Sequence, residues 1–306
     1  PYAVLDLTIQ ADFDTVNNGD SGRDRSPGSI SYDDPVTGEI ASLNCIVEAR
    51  GNSRRQCGWR PLRFHFDGDP EGTIFTGTGR FIDFVTHCGY RHEQWEGLAG
   101  RDEDEHDRRL HQEFTFYQVI RAVGGMTLET RLASTTYQDP SGHTLAQRYG
   151  FIRERKSRAP RRCGLQRQER DEGDPFRPPN ATSLFQAEFH HKLVFNDDYR
   201  FPNAERNVVR MTDGREDFYF PYDFDLSGVI EPKHYGRTVQ QNADELLQWL
   251  RQQQQALART QVAELLSKEA ELRKITVSAS ADAIGKNELN EWLQTHLDSL
   301  KAFICS

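Results

Sequence analysis

Long hydrophobic runs, positive charge and lysine are all scarce in this sequence. Within 306 residues, no apolar run approaches the roughly 20 residues that a membrane-spanning helix needs. Acidic residues (47) outnumber basic ones (38), and the net charge of -9 argues against a nucleic-acid partner, because phosphate binding favours a basic face. A hydrophobic content of 36%, with 10% aromatic residues, is enough for a buried core and excludes a disordered chain.

Lysine is the rarest of the charged residues. Only seven of the 38 basic residues are lysine, and none occurs before Lys156. Any mechanism that needs a lysine in the N-terminal half is therefore excluded. Arginine can bind phosphate there through paired hydrogen bonds, although the two side chains are not interchangeable.

The five cysteines form no Cys-x-x-Cys pair, which argues against a zinc ribbon or a thioredoxin-type site. The chain begins at Pro1 and not at a methionine, which predicts a processed N-terminus such as a removed secretory signal; an artificial start would look the same. Export would permit disulfides.

Hydrophobic periodicity divides the chain into three parts. Alternating strands predict a β-rich N-terminal lobe with one helix over residues 1–155, the helix itself lying at about 105–123. Residues 156–182 form a basic and proline-rich connection, which is either a solvated loop or a site for an anionic partner. Residues 183–306 predict a helical C-terminal lobe, including one long amphipathic run over 240–273.

An aspartate-rich segment in the C-terminal lobe carries the strongest chemical signal. Asp223 and Asp225 are two residues apart, so on a strand both face the same side, as suits Mg²⁺ ligands. Upstream, Asp198 followed by Asn207 suits a catalytic aspartate and a further metal ligand in phosphoryl transfer. Ordinary turn chemistry also places aspartate and asparagine in such segments.

Four blocks in a fixed order resemble a known family. They are Arg50-Gly51-Asn52-Ser53-Arg54-Arg55-Gln56-Cys57 with the strand Pro61–Phe66, then Phe84-Val85-Thr86-His87-Cys88, then Asn196-Asp197-Asp198-Tyr199, and finally Pro221-Tyr222-Asp223-Phe224-Asp225-Leu226-Ser227-Gly228. Together they resemble the spore-coat CotH kinase-like superfamily, and more closely an uncharacterised, mostly secreted bacterial group related to it.

The resemblance implies an α+β, two-lobed protein-kinase-like fold that transfers phosphate from ATP with Mg²⁺. By position, it makes Asp198 the catalytic aspartate that orients the acceptor hydroxyl. It also implies that Asn207, Asp223 and Asp225 bind the metal.

The same resemblance assigns cofactor contacts in the N-terminal lobe. With no lysine available there, Arg63 is the nearest replacement for the phosphate-binding strand lysine, with Arg50 or Arg60 as substitutes. Glu113 is its candidate partner on the helix. Cysteines of two family blocks, Cys57 and Cys88, are expected to form a disulfide if the protein is exported.

Two functions follow as hypotheses. The first is an exported or cell-surface bacterial phosphotransferase that uses ATP and Mg²⁺ and acts on an unknown protein or small-molecule hydroxyl. The second is a non-catalytic, pseudokinase-like surface or assembly protein that binds a protein partner, which the absence of an N-terminal lysine favours.

Weaker alternatives come from other residues. His87-Cys88 with His92, or His190-His191, could bind zinc, and Cys88 could serve as a nucleophile. Gly77 and Gly79 either cover phosphates or form a hairpin turn. Glycoside hydrolysis by a pair drawn from Asp198, Asp223 and Asp225 is chemically feasible.

Overall fold

The chain divides into two compact units. The computed structural model describes residues 4–18, 24–35, 37–51, 57–90, 103–168, 177–196, 208–224, 238–278 and 282–305. One unit comprises Pro1–Leu110 and Glu129–Arg155, and the other comprises His111–Leu128 and Lys156–Ser306. No helix in the described ranges is long and apolar enough to cross a membrane.

The first unit is built around a closed barrel. Its strands are β1 (Leu5–Ala11), β2 (Arg25–Asp33), β3 (Ile40–Ala49), β4 (Cys57–Trp59), β5 (Leu62–His65), β6 (Phe81–Thr86), β7 (Cys88–Tyr90), β8 (Thr130–Gln138) and β9 (Thr144–Arg153). The barrel order is β1-β2-β3-β5-β6-β9-β8, and the parallel pairing of β1 with β8 closes it. Helix α1 (Phe13–Asn18) follows β1, and α2 (Glu103–Ala122) corresponds to the helix predicted at about 105–123.

The closed barrel makes the expected two-lobed protein-kinase-like fold wrong, although the α+β class holds. Alternation of apolar and polar residues identifies the buried face of each strand but not the strand that it pairs with. Closure depends on one non-local pairing, in which Leu5 lies opposite Ala133 and Ile9 opposite Tyr137. Nothing in the local pattern of either strand signals that contact.

Alternate side chains of the strands fill the barrel. Ile9, Tyr32, Phe64 and Phe84 are all at most 2% exposed and belong to one hydrophobic cluster. A Cβ atom at Gly150 on β9 would lie 2.2 Å from the Phe84 ring, so glycine at this position makes room for the aromatic core. The interior is therefore packed with side chains.

The first unit also contains a separate two-stranded sheet. β4 pairs antiparallel with β7, with Trp59 opposite Cys88. The predicted Cys57–Cys88 disulfide is confirmed, with the two Cα atoms 4.7 Å apart. It closes a loop with a sequence separation of 31 residues, and such a crosslink stabilises by about 3–4 kcal/mol in the chain-entropy model.

The second unit combines a small sheet with helices. The antiparallel sheet has the order β10 (Gln166–Arg167), β11 (Val208–Thr212), β12 (Asp217–Pro221). The helices, besides the C-terminal part of α2, are α3 (Ala159–Arg162), α4 (Ala181–Leu193), α5 (Val239–Gln252), α6 (Gln255–Ser267), α7 (Glu269–Ser278) and α8 (Ala283–Cys305).

The run over 240–273, expected as one helix, is divided among α5, α6 and α7. The backbone of Gln253 is extended, with φ -85° and ψ 174°, and this ends α5. The Gln255 side-chain amide donates to the carbonyls of Leu250, Arg251 and Gln253 at 3.1 Å. Glutamine side chains thus satisfy carbonyl groups that the end of a helix leaves without partners.

Candidate functional site

Two of the predicted motifs meet in the second unit. Asn196 follows the C-terminal end of α4, and Asp223 follows the C-terminal end of β12. The Asn196 Nδ2 donates a hydrogen bond to the backbone carbonyl of Asp223 at 2.9 Å. The structure therefore brings together the beginnings of two aspartate-containing motifs that are 27 positions apart in the chain.

Asp223 has an unusual backbone conformation. Its φ of +66° lies in the left-handed region, which costs a non-glycine residue of order 1 kcal/mol. Its N–H donates to the Tyr117 hydroxyl at 3.0 Å, while its carbonyl accepts from Asn196. Side chains from α2 and from the segment after α4 thus hold both polar groups of one strained residue, as is common at functional sites.

The next residue anchors this corner. Phe224 is fully buried, and its ring centroid lies 5.0 Å from that of Tyr117, 5.7 Å from that of His191 and 6.5 Å from that of Phe116. An aromatic side chain buried in this way removes the freedom of the segment to slide or rotate. The Asp223 carboxylate consequently starts from a fixed backbone position while its side chain is only half-buried.

A lysine outside the predicted motifs lies beside the corner. The Lys156 Nζ donates to the Tyr222 hydroxyl at 2.8 Å and lies 4.1 Å from the centroid of the Tyr222 ring. The Lys156 ammonium group is therefore held against Tyr222, the residue that precedes Asp223. The only available signal was that Lys156 is the first lysine of the chain.

The other expected ligands cannot be placed at this corner. Asp198, Asn207 and Asp225 lie outside the described residues. In the described ranges there is no group of three or more His, Cys, Asp or Glu side chains that could hold a metal ion. Of the predicted metal ligands, Asp223 is therefore the one whose surroundings are defined, and its carboxylate has the oxygen chemistry that Mg²⁺ prefers.

Arg63 lies in the first unit and is engaged by a buried aspartate. Its Nε donates to Asp83 Oδ1 at 2.8 Å, and Arg50 Nη1 lies 2.9 Å from Asp83 Oδ2. Burial alone would raise the pKa of Asp83, but the charge of Arg50, then Arg63 and Arg153, holds the pKa below its ordinary value. Two of the three arginines predicted as phosphate contacts therefore neutralise one carboxylate.

The Asp83 group belongs to a row of charges across the barrel wall. Arg63 is paired in register with Glu48 on β3 and with Asp83 on β6, and Asp83 with Arg153 on β9. Glu48 also contacts Arg25 at 2.8 Å and His65 at 2.6 Å. We call these side chains the charge row; it contains more arginines than carboxylates.

Glu113 lies in the second unit, on α2, and is 3% exposed. It is four residues before Tyr117, so the two side chains lie on the same face of the helix. Glu113 is thus one turn from the residue that contacts Asp223, whereas Arg63 belongs to the other unit.

Three of the weaker alternatives involve residues whose contacts the structure describes. The N–H groups of Gly77 and Gly79 donate to the Asp69 carboxylate at 2.9 and 3.0 Å, so they stabilise a turn. Cys88 is oxidised in the disulfide, which removes the thiolate that a nucleophile or zinc ligand needs. Burial lowers the pKa of His190 to about 4, as expected for a neutral histidine in a helical core.

Comparisons of the chain with protein-family models, with curated proteins and with solved structures find no match. The resemblance to the CotH superfamily therefore stays a prediction from the sequence blocks. What the structure adds is the contact between two of those blocks at Asn196 and Asp223.

Proposed function

We propose that this protein is an ATP- and Mg²⁺-dependent phosphotransferase whose reaction centre lies at the Asn196–Asp223 corner. The observation that carries the proposal is the hydrogen bond from the Asn196 side chain to the Asp223 carbonyl, which joins the two motifs that phosphoryl transfer would use. The proposal rests on this site and on no likeness of fold, since one fold can serve many functions.

Phosphoryl transfer needs positioning and charge neutralisation more than covalent chemistry. In this proposal Asp198 orients a hydroxyl of a protein or small-molecule acceptor. Asp223, with Asn207 and Asp225, would hold Mg²⁺, which supplies positive charge to the phosphate oxygens when it is bound. Held by two hydrogen bonds, the Asp223 backbone loses little further freedom on binding.

Glu113 is the proposed nucleotide contact in the second unit, with Lys156 as an added cation, and Arg63, in the first unit, stays a prediction from the sequence. Because Arg63 also neutralises Asp83, any phosphate that binds it would share the guanidinium with that carboxylate. The same ion pair favours the second hypothesis, a non-catalytic surface or assembly protein in which Arg63 has a structural role.

Export is part of the proposal. Disulfides form and persist in oxidising compartments, and the Cys57–Cys88 bridge supports a secreted or cell-surface location.

The test is thermal stability of the whole chain with ATP, with and without Mg²⁺. A ligand present at about 100 times its dissociation constant adds about 2.7 kcal/mol to the stability of the folded state. We expect a Mg²⁺-dependent rise in melting temperature that Asp223→Asn abolishes, because asparagine tolerates the left-handed conformation but lacks the charge. The matched control is Asp244→Asn on the exposed side of α5, which should keep the rise.

No Mg²⁺-dependent rise at millimolar ATP would overturn the phosphotransferase proposal in favour of the non-catalytic protein. A rise that persists in Asp223→Asn would show that ATP binds away from the corner.

A further inference from the structure

Two hydroxyl groups face the interior of the barrel near the C-terminal end of β8. Leu7 and Ile9 on β1 are buried in the barrel core, and they lie opposite Thr135 and Tyr137 on β8. Because directly opposite residues on neighbouring strands share a face, Thr135 and Tyr137 also point inward. They are 1% and 0% exposed, respectively, so both hydroxyls lie among apolar side chains.

An arginine on β9 faces the same interior. Ala146 packs against the barrel core, and a Cβ atom at Gly150 would lie 2.2 Å from an aromatic ring of that core. Arg148 lies between them in the two-residue period of the strand and is opposite Thr135, so its side chain starts on the inner face. It is half-buried, and its Nη1 donates to the Gln147 carbonyl at 3.4 Å. A positive charge is therefore present at this end of the barrel.

A buried histidine completes the group. His87 follows β6 directly, at the point where β6 stops pairing with β9. It is 3% exposed, and its ring centroid lies 6.3 Å from that of Trp59, which in turn lies 4.4 Å from that of Tyr137. Burial, followed by the charges of Arg148 and His106, lowers the pKa of His87 to about 3, so the ring is neutral at physiological pH.

We call Thr135, Tyr137, His87 and Arg148 the barrel-end cluster. Within the described ranges, the Thr135 and Tyr137 hydroxyls and both ring nitrogens of His87 have no hydrogen-bond partner. Buried polar groups that are unpaired reduce the stability of the folded state, and a ligand that pairs with them removes this cost. All four residues belong to the first unit, and none is shared with the Asn196–Asp223 corner.

The barrel-end cluster has the chemistry of an anion-binding site. Its two hydroxyls and its neutral imidazole each offer a hydrogen-bond donor, and its guanidinium adds a positive charge and a planar pair of donors. A carboxylate matches this pair geometrically, because two parallel N–H groups can bond its two oxygens. One cation balances one negative charge, whereas a dianion would leave negative charge uncompensated in a buried place.

An aspartate borders the barrel-end cluster. The N–H of Tyr149, next to Arg148 in the chain, donates to Asp107 Oδ1 at 3.3 Å. Burial raises the pKa of Asp107 to about 7, against the opposing effect of this hydrogen bond. At pH 6 the Asp107 carboxyl is therefore mainly neutral and does not repel an anion.

We propose that the barrel-end cluster binds a small monocarboxylate. The carboxylate oxygens accept hydrogen bonds from the Arg148 guanidinium and from the Thr135 and Tyr137 hydroxyls, and the His87 ring donates a further one. The carboxylate shares the guanidinium with the contacts that Arg148 already makes. The apolar end of the ligand lies against the half-buried ring of Trp59. This site is independent of the proposed phosphotransferase centre.

The experiment is calorimetric titration of the full chain with sodium acetate at pH 6, in a buffer without carboxylate. Acetamide is the matched ligand, because it has the same shape and no charge. We expect acetate to bind at least about tenfold more tightly, since hydrogen bonds to a charged group are roughly twice as strong as neutral ones. Equal affinity for the two ligands, or no binding of acetate, would overturn the proposal.

Two further anions test the class of ligand. Sodium chloride should give no comparable binding, and sodium sulfate should bind more weakly than acetate, because the cluster balances only one negative charge. Chloride that binds as well as acetate would show an unspecific attraction of anions. Sulfate that binds more tightly would show a site for dianions, and either result would overturn the proposal.

Two variants and a control test the residues. Arg148→Gln should bind acetate no more tightly than acetamide, because glutamine keeps a planar polar side chain without the charge. Thr135→Val should weaken acetate about fivefold, the change that one ordinary hydrogen bond gives. Thr136→Val, on the opposite face of the same strand, should leave acetate binding unchanged. An unchanged affinity in both Arg148→Gln and Thr135→Val would place the acetate elsewhere and overturn the proposal.

A measurement without ligand tests the buried hydroxyls. Thr135→Val and Tyr137→Phe should not lower the melting temperature of the unliganded protein, because each keeps the shape of the side chain and removes an unpaired buried hydroxyl. A fall in melting temperature in both variants, together with unchanged acetate binding, would show that the hydroxyls serve the fold and not a ligand.

Discussion

Asp83 in the barrel and Asp223 in the second unit show two ways of using an aspartate. Asp83 is 5% exposed, and two arginines are within ion-pair distance of its carboxylate. Asp223 is only half-buried; hydrogen bonds hold its backbone in a conformation that costs energy. The first arrangement neutralises a charge inside the protein, and the second positions a carboxylate. The comparison separates a carboxylate that balances charge in the interior from one whose backbone position is fixed.

The largest expected effect comes from removing the structural carboxylate. Asp83→Ala leaves Arg50 and Arg63, whose side chains are 18% and 25% exposed, without their common counterion. Breaking a buried ion pair in this way costs about 3–5 kcal/mol, and the partial exposure of the arginines favours the lower end of that range. Urea unfolding measures the loss. A cost below about 1 kcal/mol would mean that the charge row behaves as a surface ion pair.

The next largest expected effect is a difference between the two units in how much stability each loses on acidification. Burial lowers the pKa of His190 and of His296, both in the second unit, to about 4, and that of His87, in the barrel unit, to about 3. Since each folded pKa lies below the unfolded value of 6.5, the unfolded chain binds more protons. Stability is therefore complete above pH 6.5 and falls as the pH decreases toward the folded pKa.

His190 and His296 together should cost the second unit about 2.7 kcal/mol for each pH unit below 6. The barrel unit also has two such histidines, because burial lowers the pKa of His65 as well as that of His87. Burial raises the pKa of its Asp107 to about 7, however, so the folded barrel unit takes up a proton below pH 7 and should lose less stability than the second unit. Asp83 acts at lower pH, because its pKa is below the ordinary 3.8 and its contribution is lost only below that value. Amide hydrogen exchange of each unit between pH 7 and 5 measures the difference. Equal loss in both units would contradict the assignment.

The sequence predictions succeeded for features that depend on neighbouring residues and failed for contacts between residues far apart in the chain. Local patterns located α2 and the β-rich character of the N-terminal part, and the family blocks predicted the Cys57–Cys88 pair. Barrel closure was missed, because the pairing of β1 with β8 joins residues 128 positions apart. The turn at Gly77 and Gly79 was undecided, because the carboxylate that binds its N–H groups, Asp69, lies eight and ten residues away.

The candidate site shows the same limit. The type and order of residues predicted a site at Asp223 and at the motif that begins with Asn196. They did not indicate that the Asn196 side chain bonds a backbone carbonyl, or that Tyr117 on α2 bonds the N–H of the same residue. Lys156 was missed since its contact with Tyr222 spans 66 positions.

A smaller effect should come from the contact that joins the motifs. Asn196→Ala removes the hydrogen bond to the Asp223 carbonyl and should cost about 1 kcal/mol, the usual net value of one hydrogen bond. Thermal unfolding measures it. Asn180→Ala is an unsuitable control because Asn180 caps α4, so Gln248→Ala on the exposed face of α5 serves instead. A neutral Asn196→Ala would remove the observation on which the proposed reaction centre rests.

The smallest expected effect has the opposite sign and separates stability from function. Asp223→Gly relieves the left-handed strain and should stabilise the protein by about 0.5–1 kcal/mol, because glycine adopts positive φ without a steric penalty. The same change removes the proposed Mg²⁺ ligand, so the Mg²⁺-dependent effect of ATP on the melting temperature should vanish. A more stable protein that no longer responds to ATP with Mg²⁺ is the behaviour of a residue kept for chemistry at a cost in stability. A less stable one would place Asp223 with Asp83, as a carboxylate that holds the fold together.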